Sequence, residues 1–331
     1  MRNIICVGAS AGGVEALRSL VQGLAPELAA SVFVVLHVPP GQPSRLSDIL
    51  DRSGPIRASM ACDGERFARS RIYVAPPDHH LILDGTVLRV IKGPMENRFR
   101  PAIDPLFRSA AEQFPERTIG VILSGMLDDG IAGLWALKRS GGLTVIQDVD
   151  DALFPEMPTH AARQVEIDQT ATAAAMGPLL SELVAATGRT MKAPLAVARL
   201  TRIENQYARL NDVPLAALEK VGAPSSLKCP MCHATHWRIK SGPMRFRCHK
   251  GHAFTPSTLN HEQRERAEQT LAVLTILFYD EVTLSRIAVE TCNDSSVAQR
   301  LKRELSRATK RATAIRKLLP GAKPRAARPN G

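Results

Sequence analysis

The sequence predicts an α/β fold with a doubly wound, mostly parallel sheet flanked by helices, followed by two smaller units. Three observations carry this prediction. The chain opens with an apolar run, a turn of small residues and a helical pattern, which together form the first unit of such a sheet. Apolar runs at 31–36, 118–123 and 143–146 have the composition of strands buried on both faces. A cluster of Cys and His residues lies beyond them, at 229–252.

Composition gives no sign of a membrane or secretory segment. No apolar run among the 331 residues is long enough to cross a bilayer. The N-terminus carries one Arg and then a strand, which is not the pattern of a signal peptide. We therefore expect a cytoplasmic protein without membrane insertion.

The net charge of +11 is concentrated at the C-terminus. Residues 300–331 contain eleven Lys or Arg and one Glu, a net of +10, so the other 299 residues carry about +1. Such a segment is typical of a solvated helix that runs into a disordered end, or of a contact with nucleic acid, an anionic membrane surface or an acidic partner. The main body gives no reason to expect nucleic acid as a partner.

The first turn has the pattern Gly8-x-Ser10-x-Gly12, which matches a nucleophile elbow. Glycine is needed there because a Cβ would block the tight turn and the approach of a substrate to Ser10. Taken alone, the pattern leaves three interpretations open: a catalytic serine, a nucleotide-binding turn or a structural turn.

The later elements follow in a regular order. The strand at 31–36 ends at His37, before two prolines that stop it. A strand at 71–75 follows, and then a hairpin around Asp84-Gly85. A helix with Leu106, Phe107 and Ala110 on its inner face precedes the strands at 118–123 and 143–146, and the last helix of this domain is expected at about 178–187.

Chemically active side chains lie directly beyond three of the predicted parallel strands. They are Ser10, His37 and the pair Asp128-Asp129. Ligands bind at the carboxyl edge of an open α/β sheet, so a nucleophile, a base and an acid converge on one edge, as serine-hydrolase chemistry requires. The chain order Ser, His, Asp differs from that of ordinary α/β-hydrolases, which argues against that fold family.

Six sequence blocks, in order and with matching spacing, resemble the catalytic domain of CheB, the chemotaxis protein-glutamate methylesterase. The blocks are Val7-Gly-Ala-Ser-Ala-Gly-Gly-Val-Glu-Ala-Leu17, His37-Val-Pro-Pro40, Ile72-Tyr-Val-Ala-Pro-Pro-Asp78, Arg100-Pro-Ala-Ile-Asp104-Pro-Leu-Phe-Arg-Ser-Ala-Ala111, Leu123-Ser-Gly-Met-Leu-Asp-Asp-Gly130, and Ile146-Gln-Asp148 through Met157-Pro158. The resemblance covers about 1–187. It implies hydrolysis of glutamate methyl esters on a methylated chemoreceptor-like protein, with glutamine deamidation in many members.

The resemblance also implies a role for each matching residue. Ser10 is the nucleophile, His37 the general base and Asp129 the orienting acid, because Asp129 directly precedes Gly130 of the motif. The backbone N–H groups of Met126 and Ala11 form the oxyanion hole. No cofactor is expected for catalysis. Asp128 is then expected to act on the dipole of the following helix.

Three departures from the family pattern accompany this resemblance. Leu127 stands where members usually carry glycine. Glu156-Met157-Pro158 stands where members commonly carry Gly-Met-Pro, so Glu156 replaces the glycine. These changes are compatible with a narrower cleft or with a changed substrate. The amino-terminal receiver domain of the chemotaxis enzymes has no counterpart in the sequence, so we expect a stand-alone member.

The Cys and His cluster predicts a structural zinc site in a small zinc-ribbon-like unit. Scattered cysteines elsewhere argue against a disulfide framework. The expected ligands of a tetrahedral Zn²⁺ are Cys229, Cys232, Cys248 and His252, with His233 and His249 as alternatives. A redox-active Cys-x-x-Cys is the other interpretation, but it leaves Cys248-x-x-x-His252 unexplained. Stand-alone CheB-like proteins often carry a similar segment that ends in Gly-His-Ala-Phe, here 251–254.

The remainder of the chain is predicted to form a helical hairpin with its turn near 293–296. Its apolar stripe is too wide for an exposed helix, so packing within the hairpin, dimerisation and docking on the catalytic domain are the alternatives. The expected domains are 1–187 (CheB-like catalytic), 188–226 (connector), 227–256 (zinc-ribbon-like), 257–319 (helical hairpin) and 320–331 (disordered basic tail).

Two further functions compete with the esterase. A catalytically weak regulatory or binding protein that retains the esterase fold is compatible with Leu127 and Glu156. A nucleotide-binding oxidoreductase rests on the glycine turn alone. It lacks the acidic residue at the end of the second strand, where His37 stands instead.

Overall fold

The computed structural model describes residues 2–38, 41–186, 194–210 and 213–318. The chain divides into two compact units, Met1–Leu259 and Asn260–Gly331. The predicted basic tail at 320–331 lies outside the described residues, as does part of the predicted connector.

Within its described residues, the first unit contains thirteen strands and eight of the helices, and a ninth helix begins at its end. The strands are β1 (Ile4–Ala9), β2 (Ser31–Leu36), β3 (Arg57–Met60), β4 (Arg71–Val74), β5 (His80–Asp84), β6 (Val87–Ile91), β7 (Thr118–Ile122), β8 (Leu143–Gln147), β9 (Gln169–Ala171), β10 (Gly222–Lys228), β11 (Thr235–Ile239), β12 (Phe246–Cys248) and β13 (Ala253–Phe254). The helices are α1 (Gly13–Gln22), α2 (Leu46–Ser53), α3 (Ile103–Gln113), α4 (Ile131–Arg139), α5 (Glu156–Gln164), α6 (Ala173–Ala185), α7 (Leu195–Ala208), α8 (Leu215–Val221) and α9 (Pro256–Thr291).

Seven strands form a fully parallel sheet in the order β3-β4-β2-β1-β7-β8-β9. Every residue of β1 and β2 is buried, as expected for strands covered on both faces. Alternate residues face opposite cores because side chains on a strand have a period of two. Ile5 and Val7 pack with α1 and α6, whereas Ile4 and Cys6 pack with α3 and α4. The predicted doubly wound α/β fold is confirmed.

The strand order reverses between β1 and β7. From β1 the chain builds outward through β2 and β4, and then returns to place β7 on the other side of β1. The loops that leave β1 and β7 therefore diverge, and a crevice forms at the carboxyl ends of these strands. Ser10 and the segment 124–130 lie in these two loops.

Several local features differ from the sequence-based expectations. The short edge strands β3 and β9 were not predicted, because neither has a long apolar run. The last helix of the predicted catalytic domain begins five residues early, where the Thr172 side chain accepts a hydrogen bond from the N–H of Ala175 and caps α6. The predicted hairpin around Asp84-Gly85, in contrast, is present as expected and consists of β5 and β6.

A second, antiparallel sheet of four strands in the order β10-β11-β12-β13 carries the Cys and His cluster. The predicted boundaries at 187, 226 and 256 stay predictions. The sheet begins at Gly222, inside the predicted connector, and that connector contributes α7 and α8 to the same compact unit as the catalytic sheet.

The second unit contains most of α9 and all of α10 (Ser295–Arg316). Asp294 caps α10 by accepting hydrogen bonds from the N–H groups of Ser296 and Val297. The two helices pack through Val282, Ala308 and Ala312. Exposed apolar side chains remain along this hairpin at Val273, Ile276, Leu277, Leu284 and Ile287. Within the part of the chain that the structure describes, no helix is both long and apolar enough to span a membrane.

Candidate active site and metal centre

Ser10 directly follows β1 in a turn that only small residues permit. Its backbone N–H donates to the backbone carbonyl oxygen of Ser124 at 3.0 Å, and this bond ties the loop after β1 to the loop after β7. Gly12 has φ +69°, and a Cβ built on it lies 2.7 Å from the Ser124 Oγ. The turn therefore requires glycine at this position on two grounds, the backbone conformation and the space.

His37 directly follows β2 and bridges the two other predicted residues. Its Nδ1 lies 3.1 Å from the Ser10 Oγ, and its Nε2 lies 2.8 Å from the Asp129 Oδ2. The Phe99 ring stacks on the imidazole with centroids 3.6 Å apart and planes 8° apart. The ring is thus fixed by hydrogen bonds at both nitrogens and by an aromatic face.

Asp129 is fully buried and accepts three hydrogen bonds. Its Oδ2 accepts from His37 and from the N–H of Ile103 at 2.6 Å, and its Oδ1 accepts from the Asn97 Nδ2 at 2.8 Å. Burial alone would raise the pKa of Asp129, but these bonds and the nearby imidazole outweigh it and hold the pKa below its usual value. The group is therefore a carboxylate at neutral pH.

Asp128, the residue before Asp129, bonds Thr255 and not His37. Its Oδ1 accepts a hydrogen bond from the Thr255 Oγ1 at 2.7 Å, and burial raises the pKa of its carboxyl above the usual value. Of the two adjacent acids, the structure brings Asp129 to His37.

The predicted oxyanion-hole residues lie on the two loops at the switch point. A Cβ built on Gly125 would lie 2.9 Å from the Ser10 Cβ and 2.0 Å from the Met157 Sδ, so the loop backbone passes directly beside the serine. Among the described residues, the backbone N–H groups of Ala11 and Met126 have no hydrogen-bond acceptor. An oxyanion hole needs backbone N–H groups of this kind, so Ala11 and Met126 stay the predicted donors.

Two of the three departures from the family pattern, Leu127 and Glu156, contact each other. Leu127 has φ +64°, a conformation that favours glycine. Its N–H donates to the Glu156 Oε2 at 3.0 Å, and its oxygen lies 2.8 Å from the His160 Nδ1. The side chains of α5 therefore hold the backbone of the loop that carries Met126.

Sequence reasoning missed three residues around the triad: Asn97, Phe99 and Asp104. Asp104 is buried behind Asp129, and burial together with the charge of Asp129 raises its pKa to about 7. The Asn97 amide lies between these two carboxyls. The only signal for Asp104 was its place in the 100–111 block, whereas Asn97 and Phe99 lie in an irregular segment with no periodic pattern.

The four predicted metal ligands come together. One ligand atom from each of Cys229, Cys232, Cys248 and His252 lies within 4.8 Å of the others. The His252 Nδ1 is 3.7 Å from the Cys229 Sγ and 3.6 Å from the Cys248 Sγ, which in turn is 3.6 Å from the Cys232 Sγ. A tetrahedral Zn²⁺ with Zn–S of about 2.3 Å and Zn–N of about 2.0 Å places its ligand atoms about 3.5–3.8 Å apart. The set therefore fits zinc, and the alternatives His233 and His249 are not part of it.

A buried cluster of charges joins the second sheet to the catalytic domain. Arg247 on β12 bonds Glu96 at 3.0 Å and Glu204 at 3.2 Å. Arg108 on α3 bonds Glu96 at 2.7 Å, and Arg245 bonds Glu204 at 2.6 Å. All five side chains are almost fully buried. Each carboxylate is shared by two guanidinium groups, so removing one partner leaves a buried charge unpaired.

The parallel sheet, with a hydrogen-bonded Ser, His and Asp at its switch point, defines an α/β protein with the side chains of a serine hydrolase. The profile of the CheB methylesterase family matches residues 5–180, more than half of the chain. The chain belongs to the CheB methylesterase family.

Known proteins resemble the same region. The crystal structure of the Thermotoga maritima CheB methylesterase catalytic domain has 31% identity and a TM-score of 0.53, over 56% of this chain and 100% of that one. The protein-glutamate methylesterase/protein-glutamine glutaminase of Escherichia coli (strain K12) is 36% identical over 162 residues, 48% of this chain and 46% of that protein. The second enzyme of that name from Rhodospirillum rubrum is 35% identical over 163 residues, 48% of this chain and 45% of that protein. The chain spans about half the length of the curated relatives it matches.

Proposed function

We propose that this protein is a serine hydrolase that removes methyl esters from glutamate side chains of a chemoreceptor-like protein and also deamidates glutamine. The observation that carries the proposal is the bonded series from the Ser10 Oγ through His37 to Asp129, at the switch point of the sheet. The names of the family and of its relatives supply the substrate class.

The geometry gives each group a role in the reaction. Asp129 accepts a hydrogen bond from the Nε2–H of His37, which leaves Nδ1 unprotonated and able to take the Ser10 proton as the oxygen attacks the ester carbonyl. The N–H groups of Ala11 and Met126 receive the negative oxygen of the tetrahedral intermediate. His37 then gives its Nδ1 proton to the methoxy oxygen as the C–O bond breaks, methanol leaves, and a glutamyl ester on Ser10 remains.

Water completes the cycle by the reverse use of the same groups. His37 takes a proton from water as the water attacks the glutamyl ester, and returns that proton to the Ser10 Oγ as the bond breaks. The product is a free glutamate carboxylate. A glutamine substrate follows the same steps with ammonia as the leaving group.

The Cys and His set supports a structural role for zinc in this proposal. Four protein ligands close the coordination sphere, so the ion would hold the two knuckles of the second sheet together and take no part in hydrolysis. All six cysteines are unpaired thiols, which suits a reducing cytoplasmic location.

Methanol release from a methyl-esterified receptor fragment tests the proposal directly. We expect turnover by the intact, zinc-loaded protein and none after Ser10→Ala, while Ser59→Ala, a serine on the edge strand β3, leaves it unchanged. A fluorophosphonate should label the protein at Ser10. Turnover that survives Ser10→Ala would exclude this serine as the nucleophile.

The second candidate is a regulatory or binding protein that keeps the esterase fold. Two observations favour it: Leu127 stands in a glycine conformation beside the oxyanion hole, and the C-terminal hairpin exposes a row of apolar side chains suited to docking or dimerisation. Fluorophosphonate labelling separates the candidates, since a protein with a disabled triad would bind its partner without being labelled.

A further inference from the structure

Asn97 occupies a fully bonded position between the triad and the second sheet. It is 2% exposed, and its Nδ2 donates to the Asp129 Oδ1 at 2.8 Å and to the Asp104 Oδ2 at 3.0 Å. Its Oδ1 accepts from the N–H of Thr255 at 3.1 Å, and its own N–H donates to the Ala253 oxygen at 2.8 Å. Two carboxylates on one side and an N–H donor on the other fix which end of the amide faces Asp129.

Two residues that bond Asn97 lie shortly after the predicted metal ligand His252, and Thr258 adds a bond from its Oγ1 to the Asn97 Oδ1 at 3.3 Å. Ala253 is the next residue after His252, and Thr255 lies three residues beyond that ligand. The Cys248 N–H donates to the His252 oxygen at 3.0 Å, and β13 pairs with β12, which ends at Cys248. The position of Ala253 and Thr255 thus depends on the knuckle formed by Cys248 and His252.

Asn97 also needs support because of its backbone. It has φ +50° and Arg98 has φ +78°, a conformation that costs free energy for residues other than glycine, although Asn tolerates it best. Such a conformation persists only where neighbouring bonds enforce it. The bonds to Ala253 and Thr255 supply that constraint from the side of the metal site.

We propose that Asn97 is a positioning residue for Asp129 and that the metal-loaded Cys/His unit holds Asn97 in place, so that metal occupancy controls the geometry of the triad. This inference deepens the proposed function and rests on it for its effect on catalysis. The effect of the metal site on Asp129 passes through His252, Ala253, Thr255 and Asn97.

A buried asparagine elsewhere supplies a matched control. Asn205 on α7 is 1% exposed, and its Nδ2 donates to the Arg108 oxygen at 3.1 Å and to the Glu112 Oε2 at 2.7 Å. Asn97→Ala and Asn205→Ala remove the same group at the same burial, but only the first contacts the triad.

Three measurements on the full chain test the inference. The first is the rate at which a fluorophosphonate labels Ser10, with zinc bound and after chelation. The second is the low-field ¹H NMR resonance of the His37 Nε2 proton, which reports the bond to Asp129 without any turnover. The third is the rate of zinc transfer to a chromophoric chelator. Far-UV circular dichroism checks that each protein is folded.

We expect Asn97→Ala to slow labelling about 10- to 100-fold, the effect of losing one hydrogen bond to a buried carboxylate, and to shift or broaden the His37 resonance. Chelation of zinc should slow the labelling of the wild type by a similar factor. It should slow the labelling of Asn97→Ala little further, because chelation and the substitution both act through the contact between Asn97 and Asp129. Since coupling is reciprocal, Asn97→Ala should also release zinc faster than Asn205→Ala.

Equal effects of Asn97→Ala and Asn205→Ala, or fully additive effects of Asn97→Ala and chelation, would overturn the inference. If the stripped protein unfolds, Cys232→Ser, with three remaining ligands, allows the same comparison at graded zinc concentrations. A wild type that is neither labelled nor active, but whose His37 resonance and zinc release respond as expected, would refute the proposed function and leave the coupling intact.

Discussion

The contact between Glu156 and Leu127 makes a prediction about the oxyanion hole. The Glu156 carboxylate accepts the Leu127 N–H at 3.0 Å and so holds this residue at φ +64°, one position after Met126. For a non-glycine residue that conformation costs about 1–2 kcal/mol. A hydrogen bond to a carboxylate at an exposed site contributes about 1 kcal/mol against it. In Glu156→Ala the loop loses this bond and shifts toward conformations that misplace the Met126 N–H.

A loss of about 1 kcal/mol of transition-state stabilisation lowers kcat/KM about fivefold. The assay is methanol release from an esterified receptor fragment at several substrate concentrations. Glu166→Ala, at an exposed acid on another loop, is the control. Leu127→Gly should restore activity in the Glu156→Ala background, because glycine adopts the conformation unaided. An unchanged kcat/KM in Glu156→Ala, or no recovery on adding Leu127→Gly, would refute the reasoning.

The remaining predictions concern the acids, the buried ions and the metal. Asp129→Asn should lower kcat by about 10³–10⁴, because it removes the acceptor that fixes the imidazole tautomer of His37. Asp128→Asn should keep kcat within about tenfold of the wild type, since Asp128 bonds Thr255 instead. Equal losses in the two variants would contradict the assignment of Asp129. Glu204→Gln should lower the free energy of unfolding by about 3–5 kcal/mol at pH 7, since it leaves Arg245 and Arg247 without their shared carboxylate. Burial opposes the charge of Glu204, but the two arginines outweigh it and hold the pKa of this carboxyl far below its ordinary 4.5. The contribution of Glu204 to the free energy of unfolding is therefore complete above pH 4.5 and is lost as the pH falls toward the lowered pKa. Urea unfolding should show a smaller difference in free energy of unfolding between Glu204→Gln and the wild type at about pH 3 than at about pH 7. His252→Ala should reduce the zinc content measured by mass spectrometry below one ion per chain, whereas His249→Ala should leave it unchanged.

The convergence of Ser10, His37 and Asp129 was predictable because it obeys a rule of sheet topology. Ser10 and His37 follow long buried strands, and Asp129 lies in the loop after another, so their convergence needed only strand ends and a parallel sheet. The Cys and His cluster was predictable because two short spacings, Cys229-x-x-Cys232 and Cys248-x-x-x-His252, define its two halves. Asn97 had no comparable signal, since it lies in an irregular segment and its partners Ala253 and Thr255 are more than 150 residues away.

The buried cluster of charges could not be predicted from the sequence, for a related reason. Composition treats Arg247 and Glu96 as solvated charges, because charged side chains are almost never fully buried unless they are paired. Their pairing spans 151 residues and depends on how the second sheet packs on α3, which no local pattern encodes. The small strands β3 and β9 were missed because only their neighbours in the sheet give them an extended conformation.

Glu96 and Asn97 are adjacent, and each links the catalytic domain to the second sheet in a different way. The Glu96 carboxylate binds Arg108 on α3 and Arg247 on β12, while the next side chain bonds Asp129 and the loop after β13. Ion pairs of this kind contribute little net stability compared with an apolar core, but they penalise any other arrangement strongly. The cluster holds Glu96 between α3 and β12, and the adjoining residues place the Asn97 amide beside Asp129 and the Phe99 ring against His37. In this chain the second sheet therefore contacts, through Glu96 and Asn97, the segment that lies against His37 and Asp129.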